Sequence, residues 1–325
     1  RDLFLKGGYS SYGVIDMTDD VAKIATISQN KAEERVYALR KALPFFGQFM
    51  AEKKGEIVEF DDGLSMLVVN NLNMRRNGVE MATAIYESLT CDKKAPWFTQ
   101  HRDHNAAMLN MFLLGLAHKE LTGLSEGKGF EVVDYCPGDV EYHVDAIKMP
   151  LSTTSTYFNN EQMKAIPDRL ISRAKEIIVP FLEYRKRHGS SSIILGDNKI
   201  VENTLNGYMH DFAMVGFGLE IEDIVYGLVE PKLGIPLQEI GNYVVAYIQM
   251  RCLHDSNFTS DVIKGKDKEM FAMKDAATLH ALSIYASCTR KRECQLTLDE
   301  IVPRRQYFID AMQQLLEVGD FSALK

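Results

Sequence analysis

The sequence predicts a mainly α-helical protein of two lobes, with small β-hairpins only in the N-terminal lobe. Several long stretches carry apolar residues at helical spacing, while two pairs of short β-rich runs flank turn residues. A small polar segment, "HGSSSIILGDN" at 188–198, interrupts the helices near the middle of the chain. We therefore expect an N-terminal lobe over residues 1–192 and an all-helical C-terminal lobe over 193–325.

The helices are identified by their apolar spacing and their end signals. Residues 17–43 have a candidate N-cap at Thr18 or Asp19, and Pro44 ends the run. The stretch that starts at Asn105 is apolar on all sides, which predicts a buried helix. Further helices are expected over 167–188, 201–229 with a break near Gly216 and Gly218, 237–252, 269–288 and 304–317.

Two stretches of the first half are predicted to be β-hairpins. "EIVEFDDGLSMLVV" has Asp-Gly between two β-rich runs, and "FEVVDYCPGDVEYHVDAI" has Pro-Gly-Asp between two more. The second half lacks comparable signals, so we expect no strands there.

Composition limits the classes of protein. A net charge of -8 and a pI of about 5.6 argue against indiscriminate binding to polyanions, although a local groove can still be basic. We expect no membrane insertion, because no apolar run approaches the length that spans a bilayer. We also expect no signal peptide, because "RDLFLKGGYSSYG" lacks an apolar core and a small-residue cleavage site. The 5 cysteines, an odd and scattered set, predict reduced thiols in a cytosol-like compartment.

Familiar enzyme motifs are absent from the sequence. His101 and His104 have the spacing of metal ligands on a helix, but no third ligand can be identified. "GLSEGKGF" is too short for a phosphate loop, and Gly129 stands where Ser or Thr should follow Lys128. Cys-x-x-Cys, Gly-x-Ser-x-Gly and dinucleotide-binding motifs do not occur. We therefore expect no catalysis, no metal and no cofactor.

Two clusters of cations each follow a long helix. The clusters are Arg185, Lys186 and Arg187, and Arg290, Lys291 and Arg292. If the two lobes face each other, both clusters could line a groove that binds single-stranded nucleic acid through its phosphates. Cations that offset helix dipoles explain each cluster separately, so this simpler interpretation stays open. In an extended segment, Arg290 and Arg292 would point to one side and Lys291 to the other.

Residues 108–295 resemble, in the order of their elements, the nucleoproteins of non-segmented negative-strand RNA viruses, and most closely those of rhabdoviruses. The matching stretches are "MFLLGLAHKE", "FLEYRKRHGSSS", "MVGFGLEIEDIVYGLVEP", "NYVVAYIQMRCLHDSNFTS" and "ATLHALSIYASCTRKRE". Two departures stand against the resemblance: Ile193 where the family has Arg, and Asp255 where Lys is expected.

The resemblance implies a non-enzymatic, bilobed, helical nucleoprotein that encapsidates RNA in a basic cleft between its lobes. Its implied partners are single-stranded RNA, further copies of itself in a ring or helical filament, and the viral phosphoprotein and polymerase. Its implied location is the nucleocapsid of the virion and the host cell cytoplasm. The implied phosphate contacts are His118, Lys119, Arg185, Lys186, Arg187, Arg290 and Arg292.

Two other classes remain open at this point. Helical coat proteins of other RNA viruses also carry an RNA groove, and an enzyme would need a cofactor site that the sequence does not reveal.

Overall fold

The computed structural model describes residues 4–5, 13–91, 94–98, 101–124, 130, 168–189, 192–255, 265–291 and 298–324. The strands are β1 Phe4–Leu5, β2 Gly13–Asp16, β3 Asp20–Thr26, β4 Val58–Glu59, β5 Leu64–Asn70, β6 Ser192–Ile194, β7 Thr204–Leu205, β8 Tyr208–Met209 and β9 Gly216–Gly218. The helices are α1 Ile27–Leu39, α2 Gly78–Thr90, α3 Arg102–Leu124, α4 Asp168–His188, α5 Ile200–Asn203, α6 Glu220–Leu228, α7 Ile240–His254, α8 Lys266–Ala272, α9 Lys274–Lys291 and α10 Leu298–Val318.

The N-terminal part is an antiparallel sheet of five strands in the order β1-β2-β3-β5-β4. Strand β3 lies at its centre, where Lys23 is opposite Val14 of β2 and Leu67 of β5. The predicted hairpin at Asp62 and Gly63 is confirmed, because β4 and β5 pair on either side of this turn and Gly63 has a φ of 81°. The second predicted hairpin lies outside the described residues.

The helix predicted from residue 18 begins nine residues later. Residues 20–26 form β3 and are hydrogen-bonded to strands on both sides, and β-branched residues such as Val21 and Ile24 suit that position. Helix α1 starts with a capping box, in which Thr26 Oγ1 accepts from Gln29 N and the Gln29 side chain accepts from Thr26 N. The prediction of helix over 20–26 is therefore wrong.

Helix α3 forms the centre of the helical part. Its residues from Ala107 to Leu121 are mostly buried, as the apolar sequence predicts, and it packs along α7 and against β6 and α6. Near its end, the Glu120 carboxylate accepts hydrogen bonds from the backbone N–H groups of Phe45 and Phe46, at 3.0 Å for the shortest contact to each. This side chain connects α3 to the segment that follows α1.

Short strands also occur in the second half of the chain. Strands β7 and β8 form a hairpin around Asn206 and Gly207, whose φ angles of 51° and 82° suit the Asn-Gly turn. Strand β6 pairs with β9, which brings residues 192–194 beside 216–218. The prediction of helix over 201–229 is therefore wrong between residues 204 and 215, while the break expected near Gly216 and Gly218 falls on β9. The expectation that the second half contains no strands is also wrong.

None of the helices in the described ranges is long and apolar enough to cross a membrane.

Candidate active site

Lys23 lies at the centre of a cluster of charged side chains that come from distant parts of the chain. Its Nζ is 2.7 Å from Glu33 Oε2 on α1 and 2.7 Å from Asp211 Oδ1, just after β8. The side chain of Glu33 is 3% exposed and that of Asp211 is 22% exposed. Burial alone would lower the pKa of Lys23, but the two carboxylates outweigh it and raise this pKa. Lys23 is therefore a fixed positive charge.

Asp211 has a special backbone conformation. Its φ is 65°, in the left-handed region that Asp tolerates better than most residues. Burial would raise its pKa, but the neighbouring Lys23 ammonium reverses the effect and lowers it. The next residue, Phe212, is buried with its ring edge-on to Tyr37 at 5.4 Å and Phe46 at 6.1 Å. Asp211 is therefore ionised, partly exposed and held by a buried neighbour.

A second carboxylate, Asp197, lies in the loop between β6 and α5. Its Oδ2 is 2.9 Å from Lys199 Nζ. Burial and the negative charge of Asp211 raise the pKa of Asp197, although the Lys199 ion pair and a hydrogen bond with Tyr226 act in the opposite direction. The pKa of Asp197 is thus raised, whereas that of Asp211 is lowered. Such a difference is typical of sites in which one carboxylate accepts a proton and the other stays ionised.

The Asp197 loop is held by a buried aspartate of α6. The carboxylate of Asp223 accepts from Leu195 N at 2.6 Å and from Gly196 N at 2.8 Å. Gly196 has a φ of 81°, and a Cβ there would lie 2.3 Å from the backbone oxygen of Met214. The two hydrogen bonds and the close approach at Gly196 restrict the conformation of this loop, and they thereby hold Asp197 in place.

A hydrogen-bonded chain supports Asp223 from the other side. His118 of α3 is fully buried, with Nε2 2.8 Å from Asp223 Oδ2 and Nδ1 2.8 Å from the Tyr247 hydroxyl. Tyr247 in turn donates to Glu220. Burial and the Glu220 charge hold the pKa of Tyr247 well above its usual value, so the phenol stays a donor.

The residues predicted to bind RNA have different surroundings. His118 is buried within this chain of hydrogen bonds, and Lys119 is half-buried. Arg185 Nε donates to Glu222 Oε1 at 2.6 Å, so its charge is matched internally, while Lys186 and Arg187 are exposed. His118 and Arg185 thus both contact acids of α6.

The second cation cluster is only partly described. Helix α9 continues through Arg290 and Lys291, so the extended geometry expected there is wrong for these two residues. Arg292 lies outside the described residues. Phosphate contact by the seven predicted residues stays an untested prediction, as does the division of the chain at 192 and 193.

His101 and His104 have the spacing of metal ligands, but no metal site was predicted there because a third ligand could not be identified. His104 Nδ1 lies 3.0 Å from the Tyr243 hydroxyl. Within the described ranges no three His, Cys, Asp or Glu side chains form a group that could hold a metal ion by themselves.

Lys23, Glu33, Asp197 and Asp211 were not predicted from the sequence. Three short stretches carry Lys23, Asp197 and Asp211, namely "VAKIA", "LGDN" and "MHDF". Each combines a charged residue with a strand or a tight turn.

No protein-family model matches the chain, and its sequence matches no curated protein. Solved structures do match. A choline/ethanolamine kinase family protein from Mesorhizobium loti aligns with a TM-score of 0.55 at 11% identity, over 98% of this chain and 89% of the other. An aminoglycoside phosphotransferase from Alicyclobacillus acidocaldarius gives 0.51 at 11% identity, over 98% and 94%. A Plasmodium vivax ethanolamine kinase gives 0.50 at 10% identity, over 99% and 82%.

These similarities correct the functional expectations from the sequence. They contradict the resemblance to rhabdovirus nucleoproteins, the RNA-encapsidating function and its coat-protein alternative, and the location in a virion. They also contradict the expectation of a non-enzyme, since all three similar proteins are named as kinases or phosphotransferases. The bilobed nucleoprotein fold is wrong as well, although the chain is rich in helix. A small antiparallel sheet followed by a helical part gives this chain the protein kinase-like phosphotransferase fold.

Proposed function

We propose that the protein is a phosphotransferase that moves the terminal phosphoryl group of a nucleoside triphosphate to a hydroxyl group of a small molecule. The observation that carries this proposal is the contact of Lys23 with both Glu33 and Asp211. Enzymes of the protein kinase class use a lysine on the third strand, paired with a helical glutamate, to bind phosphates. They use an aspartate followed by Phe to hold Mg²⁺, and Asp211 and Phe212 have the same order.

Lys23 would bind the triphosphate. Its raised pKa keeps it an ammonium ion at neutral pH, and the Glu33 carboxylate directs it toward the space beside Asp211. The sequence from Leu5 to Ile15 is rich in glycine, but it departs from the G-x-G-x-x-G pattern of kinases, and residues 6–12 lie outside the described structure.

Asp197 would act as the general base. The acceptor oxygen attacks the terminal phosphorus, its proton passes to the Asp197 carboxylate, and the bond to the β-phosphate oxygen breaks to release the nucleoside diphosphate. The raised pKa of Asp197 suits a proton acceptor. Lys199, 2.9 Å from Asp197, supplies a positive charge beside the transferred group.

The described residues fit Mg²⁺ through Asp211. This ion is usually held by one or two carboxylates together with phosphate oxygens, so a protein cage of three ligands is not required. Asp211 is ionised and 22% exposed, which suits this role. When bound, Mg²⁺ neutralises charge that develops on the phosphate oxygens.

One departure favours a second function, nucleotide binding without transfer. The kinase signature has Asn five residues after the catalytic aspartate, whereas this chain has Glu202 there. A carboxylate oxygen is also a ligand for Mg²⁺, so the substitution is compatible with transfer.

The names of the similar proteins guide the choice of acceptors. These names contain choline, ethanolamine and aminoglycosides, which combine hydroxyl groups with amino or quaternary ammonium groups. We propose that the acceptor belongs to this broad class.

Phosphoryl transfer can be measured with ATP or GTP, Mg²⁺ and a panel of hydroxyl-bearing amines, with ³¹P NMR to identify the product. Asp197→Asn is expected to slow transfer by about 100-fold or more while nucleotide binding persists. Asp211→Asn should weaken Mg²⁺-dependent nucleotide binding, and Lys186→Gln, at an exposed position, is the matched surface control. Nucleotide binding without transfer to any acceptor would favour the second function. Absence of nucleotide binding to the folded wild type would refute both.

A further inference from the structure

Tyr37 places a hydroxyl group beside the Lys23–Glu33 ion pair. It lies one turn after Glu33 on α1, where residues four apart share a face, and it is 5% exposed. Its hydroxyl donates to Glu33 Oε1 at 3.0 Å, while Lys23 Nζ contacts Oε2 at 2.7 Å. Both oxygens of this buried carboxylate therefore have a partner, which fixes the plane of the group.

Tyr37 also contacts the segment that carries Asp211. Its ring packs edge-on at 5.4 Å against Phe212, the residue that follows Asp211. Burial and the Glu33 charge raise the pKa of Tyr37 well above its usual value, so the hydroxyl keeps its proton and donates. A single side chain thus touches α1 and the turn after β8.

Packing alone does not account for the hydroxyl. A phenylalanine would make the same edge-on contacts with Phe212, and a buried hydroxyl costs free energy unless it is hydrogen-bonded. The partner of this hydroxyl is Glu33, which belongs to the candidate site.

We propose that the Tyr37 hydroxyl is a positioning group that holds Glu33, and through it Lys23, in the geometry that receives a triphosphate. The inference rests on the proposed function for its meaning in catalysis, but the positioning itself can be tested without nucleotide. Loss of the hydroxyl leaves Glu33 Oε1 buried without its donor, so the carboxylate turns and the Lys23 ammonium is held less firmly.

The first test compares wild type with Tyr37→Phe in Mg²⁺–ATP binding and turnover. We expect the nucleotide Kd and KM to rise about tenfold, the effect of one hydrogen bond to a charged group, while kcat changes less. If Tyr37 had only a structural role, the variant would have a lower melting temperature, but its KM would not rise more than its kcat changes. Unchanged Kd in a folded variant would overturn the proposal.

The second test uses nucleotide-free protein, so it does not depend on the proposed function. The rate of acetylation of Lys23 by acetic anhydride is followed by mass spectrometry, and we expect it to rise several-fold in Tyr37→Phe because the amine is less tightly paired. If wild type binds no nucleotide but Lys23 becomes more reactive in the variant, the proposed function fails and the positioning role stands. An unchanged rate sinks the positioning role.

Two further variants sharpen both tests. Tyr86→Phe removes a half-buried hydroxyl from α2, where the ring packs on Trp97 and Phe112, and it should leave both readouts unchanged. In a Glu33→Gln background, Tyr37→Phe should add little, because the two side chains act as one unit. Additive effects on Kd would contradict the proposed link.

Discussion

His254 is predicted to make the protein less stable in mild acid. It lies at the end of α7 and is 7% exposed. Its ring packs at a tilt against that of Phe112, with the ring centroids 5.2 Å apart. Neither ring nitrogen has a hydrogen-bond partner in the part of the chain that the structure describes. Burial, together with the positive charges of Lys119 and Arg251, lowers the pKa of His254 from 6.5 to about 4.

The sign and size of the effect follow from proton linkage. Between pH 6.5 and about 4 the unfolded chain binds a proton at this position and the folded chain does not. The His254 contribution to stability is therefore complete above pH 6.5 and is lost as the pH falls to about 4. At about 1.4 kcal/mol per pH unit, the free energy of unfolding should fall by about 3 kcal/mol from this residue.

Urea unfolding of wild type and His254→Leu at several pH values between 7.5 and 4.5 measures this contribution. Other groups titrate alike in both proteins, so the difference between the two stability curves isolates the histidine. We expect the leucine variant to lose less stability in acid, and the gap to grow as the pH falls. Parallel curves would refute the reasoning, because they would mean that His254 is protonated equally in both states.

Two more predictions concern the site and its surroundings. Lys199→Met removes a charge that lowers the pKa of Asp197, so the acid limb of the kcat/KM profile should move to higher pH; a fixed limb would exclude Asp197 as the base. Gly78→Ala would put a Cβ 2.5 Å from the backbone oxygen of Asn206. It should therefore lower the free energy of unfolding by about 1–3 kcal/mol. Gly123→Ala, with open space around it, is the control, and equal melting temperatures for the two variants would contradict the clash.

The parts of the fold that could be predicted are the elements that their own local sequence determines. The apolar run from Asn105 has too few polar residues for a surface helix, and α3 is buried as expected. Asp62 and Gly63 form a hairpin turn, and the Asp-Gly pair favours such a turn whatever the surrounding fold.

The errors arose where partners distant in sequence decide the structure. Val21 and Ile24 satisfy helical spacing, whereas three positions along a strand put them on opposite faces. The pairing of β3 with two neighbouring strands nevertheless decides for the strand. The turn at Asn206 and Gly207 could have been predicted, because Asn-Gly is a strong hairpin signal.

The site itself could not be assembled from spacing. Lys23 and Asp211 are 188 residues apart, and each is an ordinary charged residue until the fold brings them within 2.7 Å. The opposite error affected Arg185, which the sequence presents as part of a basic cluster. Its partner Glu222 lies 37 residues away and is buried beneath it, so the local count of cations overstated the available charge.

The contact between Glu120 and the backbone of Phe45 and Phe46 has a consequence for cutting the chain. A fragment limited to residues 13–98 would contain the whole β2–β5 part of the sheet and α1, yet it would lack the carboxylate that accepts these two N–H groups. It would also lose the buried surface that α3 provides for Phe46 and Phe49. Excision at this point therefore removes the support of the segment that follows α1, and we expect the amino-terminal piece to be less stable alone than in the full chain.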